Sequence, residues 1–519
     1  MEGATRKVAI VGAGISGLLA CRHLMEKGFD PVVYEASGCI GGVWSHTIES
    51  TKLQTPKHLY QFSDFPWPDT VEETFPDHRQ VMEYITSYAE HFKVLPKIKF
   101  NCRVTGIDYE LMSNCGKDDN IECWEQWSGS ADLFSGTGRW SLTINDRSGT
   151  ATVYRADFVI LCIGMFSDLP RLPEFLPERG PEVFRGKVLH SMDYVLMEKG
   201  LAAELIRDKR VTVVGFQKSA VDIAAEVSKI NGNRYPCTLL FRCAHWLLPD
   251  CVATLACRNL NRLTEYMIHK PREGFFLWLL ATLALPLLWI HTKILETYLK
   301  LAYPLRKHEI IPDRSLIEQF RTCTTPLMPE KFFDAVNEGS ILLKKSPTFG
   351  FCEDGLILEG EESNRVSADV VIFATGWEYD KKLTDIFSSE HFRTCIAGSS
   401  APLYRDCIHP RIPQLAILGY VVSPSVMYTT EMRSKWLAHL LAGGFTLPKI
   451  QEMEQDVNEW ERYARKFCKD KYERRRAGVL LQIHCNDLIL RDMGLNPRRK
   501  KNFLAELFSS YGPADYRNV

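Results

Sequence analysis

At 519 residues the chain can bury a large core and is expected to form two domains or more. Its 63 basic and 64 acidic residues leave a formal charge of −1, which excludes the global positive field of a nucleic-acid-binding protein. The 16 cysteines show no C-x-x-C pair and no metal-ligand spacing, so they read as small buried hydrophobes and reduced thiols in a reducing compartment, with no metal site.

The first strong signal runs from Lys7 to Glu35. Val8-Ala9-Ile10-Val11 suits a strand buried on both faces, and its start so near Met1 leaves no room for a signal peptide. The strand breaks into Gly12-Ala13-Gly14-Ile15-Ser16-Gly17 and then a helix-compatible run from Leu18 to Leu24. Gly12 permits the tight turn, Gly14 allows backbone to approach a pyrophosphate, and Gly17 lets helix pack on strand. The helix N-terminus offers free N–H groups and a positive dipole end. A second strand, Pro31 to Tyr34, ends on Glu35, placed to accept hydrogen bonds from an unphosphorylated ribose. Its charge disfavours a 2′-phosphate, so this first site fits FAD or NAD rather than NADP. The Gly41-Gly42 pair and Trp44 that follow resemble the backbone along FAD in two-dinucleotide flavoproteins, which favours FAD and adds Gly42 and Trp44 to the cofactor-binding set.

Tyr60 to Pro68 is an aromatic, proline-rich ordered loop, and Pro76 to Phe92 has helical spacing of Val81, Tyr84, Ile85, Tyr88 and Phe92. Cys102–Tyr109 and Trp140–Ile144 alternate as strands, with a polar surface insertion expected over Ser113 to Thr137. Phe158–Gly164 and Val370–Gly376 are two buried strands ending in glycine, each preceded by an acid, Asp157 and Asp369. They suggest that the chain leaves the first domain near Pro170-Arg171-Leu172-Pro173 and returns to it near Lys345.

Within that excursion, Arg210 to Ala224 repeats the strand, turn and helix pattern, with Gln217 and Ala220 where a strict fingerprint has glycine. Gly215, Lys218 and Ser219 form this second turn, and the next strand, Cys237–Phe241, ends in Arg242 instead of an acid. A guanidinium there pairs bidentately with the 2′-phosphate of NADP, and Lys218 adds charge.

Gly274 to Thr292 carries no formal charge over 19 residues. Pro286 interrupts it, and a true span would place two halves of one domain on opposite sides of a bilayer. The expectation is a bent helical hairpin over the substrate side of the second nucleotide domain, with peripheral membrane contact as its option. Arg474-Arg475-Arg476 and Arg498-Arg499-Lys500-Lys501 read as solvated faces of a helical C-terminal region. The fold expected is α/β: an FAD-binding domain interrupted by an NADPH-binding domain, both Rossmann-like, followed by C-terminal helices. The boundaries are 1–172 and 346–440 for the FAD domain, and 173–345 for the NADPH domain with a helical insertion at about 245–330. Helices follow over 441–519.

Phe184-Arg185-Gly186-Lys187-Val188-Leu189-His190-Ser191-Met192-Asp193-Tyr194 resembles the FxGxxxHxxx(F/Y) signature of flavin-containing monooxygenases, and it lies between the two nucleotide turns as that family requires. Phe373-Ala374-Thr375-Gly376-Trp377 resembles the family's second linker motif. Tyr194, where the related Baeyer–Villiger enzymes carry Trp, favours the N/S-oxygenating branch. Details at Glu49–Gln54, Phe65–Pro68 and Gly215–Ala220 resemble plant members, in the group that includes the N-hydroxypipecolate-forming monooxygenase. The resemblance implies FAD and NADPH as cofactors, O₂ and a small soft nucleophile (amine nitrogen or sulfur) as partners, and oxygen transfer from a C4a-hydroperoxyflavin. It also implies that His190, Thr375 and Gly376 position NADPH, and that the protein is cytoplasmic or peripheral at the endoplasmic reticulum membrane. Where animal members place an active-site Asn, this chain has Glu49, so that role does not transfer and no catalytic residue is assigned. Oxidative decarboxylation of a 2-oxo acid, as in auxin-forming relatives, and a plain NADPH-oxidising flavin reductase remain open alternatives.

Overall fold

The computed structural model describes residues 6–111, 133–134, 138–166, 168–359, 363–397, 403–468 and 478–519. Apart from Leu133 and Phe134, the polar stretch at 113–137 lies outside the described residues, as does the triple arginine at 474–476. The first nucleotide unit begins with β1 (Val8–Val11), α1 (Ile15–Glu26), β2 (Val32–Tyr34), β3 (Ile98–Lys99) and β4 (Phe158–Leu161). The second is built from β5 (Lys187–His190), β6 (Val211–Val214), α2 (Lys218–Asn231), β7 (Cys237–Phe241), β8 (Ile341–Lys345) and β9 (Val370–Phe373). The chain then returns to the first sheet with β10 (Leu415–Ile417).

Both sheets are parallel, with strand orders β10-β4-β1-β2-β3 and β8-β7-β6-β9-β5. Two small antiparallel sheets, over 102–156 and 349–367, complete the β structure of the described residues. Parallel strands must be covered on both faces, and β1, β4, β6 and β9 are accordingly buried along their whole length.

One expectation needs correcting. The strand Val370–Phe373 does not rejoin the first sheet; it lies between β6 and β5 in the second. The return therefore falls after Phe373, and β10 is the strand that re-enters beside β4. The two preceding acids carry the explanation. Asp157 accepts from the Lys7 N–H at 2.8 Å at the foot of β1, and Asp369 accepts from the Arg210 N–H at 2.8 Å at the foot of β6. Each acid closes the start of its own sheet, so β9 is to β6 what β4 is to β1.

Between β7 and β8 the chain forms a helical insertion that includes α3 (Arg262–Tyr266) and α4 (Phe275–Ala302). The hairpin expected around Pro286 is absent: α4 is one helix of 28 residues with Pro286 inside it. Proline removes a single intrahelical bond, to the Thr282 carbonyl, and the leucines and alanines around it are strong helix formers. The C-terminal part contributes α5 (Val426–Leu441), α6 (Gln482–Asp492) and α7 (Phe503–Phe508). Helix α5 is buried over nearly its whole length and packs against α1, beneath the first nucleotide turn.

Buried charge ties the insertion to the C-terminal helices. The Arg262 guanidinium on α3 donates to Asp487 on α6 at 2.7 and 2.9 Å, to Glu506 on α7 and to the Pro497 carbonyl. One turn on, Glu265 accepts the His484 N–H at 2.9 Å and faces Lys270 at 3.6 Å. Burial pushes the Glu265 carboxyl up to about 7, against the pull of Lys270. A raised acid binds its proton more tightly folded than unfolded. Its contribution to stability is therefore full below about pH 4.5 and lost as pH rises through about 7. Glu265→Gln should flatten the fall in denaturation midpoint across that window, by up to about 1.4 kcal/mol per pH unit. Parallel pH profiles for the two proteins would show that Glu265 does not titrate in this range.

Candidate functional site

A single cleft of ≈ 1950 Å³ runs between the two nucleotide units and is lined by both glycine turns. Sites for one drug-sized ligand occupy about 300–1,000 Å³, so this cleft has room for two dinucleotides side by side.

On the first side the glycines divide the work as their spacing predicts. Gly12 sits at φ +103° and donates its N–H to the Tyr34 carbonyl at 2.8 Å. A Cβ at Gly17 would lie 1.9 Å from the Gly12 carbonyl oxygen, so α1 can approach the strand this closely only without a side chain. Gly14 differs: a Cβ there would meet Gly42 Cα at 3.6 Å, ordinary contact. Gly14, the N-cap of α1 with no side chain to cap it, and Gly42 thus face each other as bare backbone at the helix N-terminus. Such a cradle suits a pyrophosphate.

Glu35 ends β2 beneath this cradle. One carboxylate oxygen accepts the Ala13 N–H at 2.6 Å, and the other accepts the Ser37 N–H and hydroxyl, each at 2.8 Å. The carboxylate is thereby oriented along the cleft wall, with one lone pair, on the oxygen that accepts from Ala13, left for a ribose. Trp44 also lines the cleft and is held by donating to the Tyr60 hydroxyl at 2.8 Å.

The second turn works with only one of its three expected glycines. Gly215, at φ +140°, donates to the Leu240 carbonyl at 2.8 Å, and a Cβ there would strike the Ala374 oxygen at 2.6 Å. Ala220 stands where the third glycine would be, and its methyl lies 3.3 Å from that hypothetical Cβ. Ser219 lines the cleft in the first turn of α2. Arg242 ends β7, is exposed, lines the cleft and makes no ion pair among the described residues.

Lys218 is placed differently from a free phosphate ligand. It pairs with Asp222 at 2.8 Å, and the other oxygen of Asp222 accepts the Thr51 hydroxyl across the domain boundary. Burial pushes the Asp222 carboxyl up, while Lys218 and Thr51 hold it down. This bridge joins α2 to the loop of the first unit that lines the cleft, a link between residues 171 apart.

Thr375 and Gly376 line the cleft where the two connections between the units cross. The Arg171 N–H donates to the Gly376 carbonyl at 2.9 Å, and the Thr375 hydroxyl donates to the Arg171 carbonyl. His190 does not reach the cleft wall. It caps the helix after β5, accepting the Met192 N–H at 3.1 Å, and meets Trp377 edge to face at 5.7 Å. Burial lowers its pKa, so a neutral imidazole backs the linker.

Glu49 is turned away from the cleft: its carboxylate pairs with Arg79 at the surface. One feature escaped the sequence reading: Lys382, itself largely buried, lines the cleft and pairs with the exposed Asp168 at 2.5 Å, and burial lowers its pKa. Helix α4 lines the cleft as well, through Leu288, Thr292 and Leu295. No set of side chains suited to a metal occurs among the described residues.

Comparison with known proteins places this arrangement. The family model described as flavin-binding monooxygenase-like matches residues 5–498. The "probable flavin-containing monooxygenase 1" of Arabidopsis thaliana is 37% identical across 98% of this chain and 96% of its own. The S-allyl-L-cysteine S-oxygenase of Allium sativum shares the fold with a TM-score of 0.58 and 18% identity, over 95% of this chain and 89% of that one. So does OTEMO, solved with FAD and NADP, with a TM-score of 0.61 and 18% identity over 89% and 90%.

The two glycines should fail in different ways. Gly14→Asp has room for its Cβ, so the purified variant should fold but lose its bound flavin, because a carboxylate then sits in the phosphate cradle. Gly17→Ala should lose folded protein instead. Stoichiometric flavin in the Gly14→Asp protein would refute the assignment of the first turn.

Proposed function

Since the chain belongs to the flavin-binding monooxygenase-like family, we propose that it is an NADPH- and O₂-dependent monooxygenase that oxygenates a small soft nucleophile, an amine nitrogen or a sulfur. One observation carries the reading. A single cleft joins two dinucleotide turns whose ribose positions have opposite charge, Glu35 on one side and Arg242 on the other.

FAD fits the first turn. Gly14 and Gly42 leave the bare cradle for its pyrophosphate, Glu35 meets the adenosine ribose, and Trp44 flanks the path towards the reacting end. NADPH fits the second: α2 offers its N-terminus and Ser219 to the pyrophosphate, and Arg242 offers a planar fork to the 2′-phosphate. When bound, the flavin supplies electron transfer from NADPH and activation of O₂, one oxygen atom going to the substrate and the other to water.

The chain's own residues then serve position and dryness. Thr375 and Gly376 hold the crossing between the units, and the neutral His190 stiffens it from behind. The Thr51–Asp222–Lys218 bridge keeps the nicotinamide unit facing the flavin unit. Leu288 and Leu295 line part of the cleft with hydrocarbon, which keeps water from a reactive centre. None of these roles needs a nucleophile or general base at the reacting atoms.

This layout accommodates a sulfur or a nitrogen nucleophile alike, and the S-oxygenase of Allium sativum shares its fold. Arg242→Ala should lower kcat/KM for NADPH by about 2–3 kcal/mol, roughly 30- to 150-fold, and leave NADH almost unchanged. Equal losses with both cofactors would rule out a 2′-phosphate role for Arg242.

A further inference from the structure

Helix α4 has two apolar faces. Its inner face packs on the protein: Ala281, Leu288, Leu295 and Leu299 are each no more than 8% exposed. Its outer face carries Phe276, Leu283, Leu287, Ile290, Ile294 and Leu301, exposed by 48 to 84%. These follow one another at intervals of 7, 4, 3, 4 and 7 residues, a single stripe at helical period along the whole 28-residue helix. That is about 42 Å of hydrocarbon facing outward, the reverse of a helix that meets water.

The three threonine hydroxyls of this helix donate to its own carbonyls. The Thr282 hydroxyl donates to the Trp278 carbonyl at 2.8 Å and the Thr297 hydroxyl to the Lys293 carbonyl at 2.8 Å. Its one acid, Glu296, points inward at 3% exposure, accepting the Leu316 N–H at 2.9 Å and pairing with Lys293 at 2.7 Å. Just beyond the helix, Arg306 and Lys307 are exposed. Trp278 and Trp289 are half exposed, the amphipathic rings suited to a boundary between hydrocarbon and water.

We infer that the outer stripe of α4 docks on the surface of a lipid bilayer containing anionic headgroups, with the helix lying in the membrane plane. A protein partner would be expected to find polar anchors along an interface this long, and here the threonine hydroxyls are turned back into the helix, which leaves Tyr298 as the polar group among the stripe's side chains. Spanning is opposed at Glu296, because withdrawing α4 from the protein would break its bond to the Leu316 N–H and carry the Glu296–Lys293 pair into hydrocarbon. Charge supports an anionic surface, since Arg306 and Lys307 stand exposed just beyond one end of the stripe and its acid is hidden. Because the inner face of the same helix lines the cofactor cleft, docking sets that wall one helix diameter, about 10 Å, from the lipid.

The test is flotation of the full-length protein with phosphatidylcholine vesicles, with and without phosphatidylserine. The wild type should float with the anionic vesicles and be released by carbonate. A Phe276→Ser/Leu283→Ser/Leu287→Ser/Ile294→Ser variant should lose about tenfold or more of that binding while keeping its bound flavin and circular dichroism. Since those side chains are exposed, the fold should survive; Arg306→Glu/Lys307→Glu, which leaves the stripe intact, should weaken binding to anionic vesicles only. Wild-type protein that fails to float, or a serine variant that floats equally well, overturns the proposal. So does resistance to carbonate, which means a spanning helix. A wild-type dimer that the serine variant converts to a monomer, with no vesicle binding by either, assigns the stripe to a second copy of the chain instead.

Discussion

Two nucleotide sites can exchange electrons only if they face each other, and here that facing depends on two crossing strands of chain. Leu169 to Arg171 and Gly376 to Glu378 lie antiparallel, bonded through Arg171 N–H to the Gly376 carbonyl at 2.9 Å and Glu378 N–H to the Leu169 carbonyl at 2.8 Å. Every connection from the first unit to the second and back passes this point in the chain. The Thr51–Asp222–Lys218 bridge adds a second tether away from the crossing. With two separated tethers, rotation of one unit against the other requires breaking a buried charge contact as well as bending the linkers.

Around this crossing the cleft acquires its chemistry by simple means. Backbone without side chains, at Gly14 and Gly42, makes space for phosphates on one side. Strand ends place charge: a carboxylate after β2, a guanidinium after β7. Part of the remaining wall is apolar and comes from the insertion, whose α3 is anchored to α6 and α7 by the buried Arg262 cluster. A monooxygenase of this family needs such a division, because uncoupled reduction of dioxygen wastes NADPH, and exclusion of water limits it.

The geometry of the first turn was legible in the sequence. Gly12, Gly14, Gly17 and Glu35 are local in the chain; sterics within one βαβ unit demand glycine at Gly12 and Gly17, and the Ala13 and Ser37 N–H groups fix Glu35. The second was harder, since Gln217 and Ala220 relax the glycine pattern, yet Gly215 and Arg242 still stood at the turn and strand end. What local pattern cannot decide is which sheet a buried strand joins. Val370–Phe373 and Phe158–Leu161 are alike as apolar runs, and only the pairing of Asp369 with Arg210 distinguishes their homes. Pro286 misled for a related reason: a proline predicts a lost hydrogen bond, but whether the helix bends depends on the packing of Leu288 to Leu299 on the protein. The Lys382–Asp168 pair and the Thr51–Asp222 contact join residues far apart in sequence, and no spacing announces them.

The central claim is that both nucleotides act in one cleft to put an oxygen atom from O₂ on a soft nucleophile. It is tested most directly by supplying isotopically heavy dioxygen and NADPH to the purified flavoprotein with a panel of small amines and thioethers, and counting label in product against NADPH consumed. The account predicts one heavy oxygen atom in each molecule of an N- or S-oxygenated product for each NADPH oxidised. NADPH oxidised with all of the label in hydrogen peroxide across the panel, or a decarboxylated product in place of an oxygenated one, would contradict it.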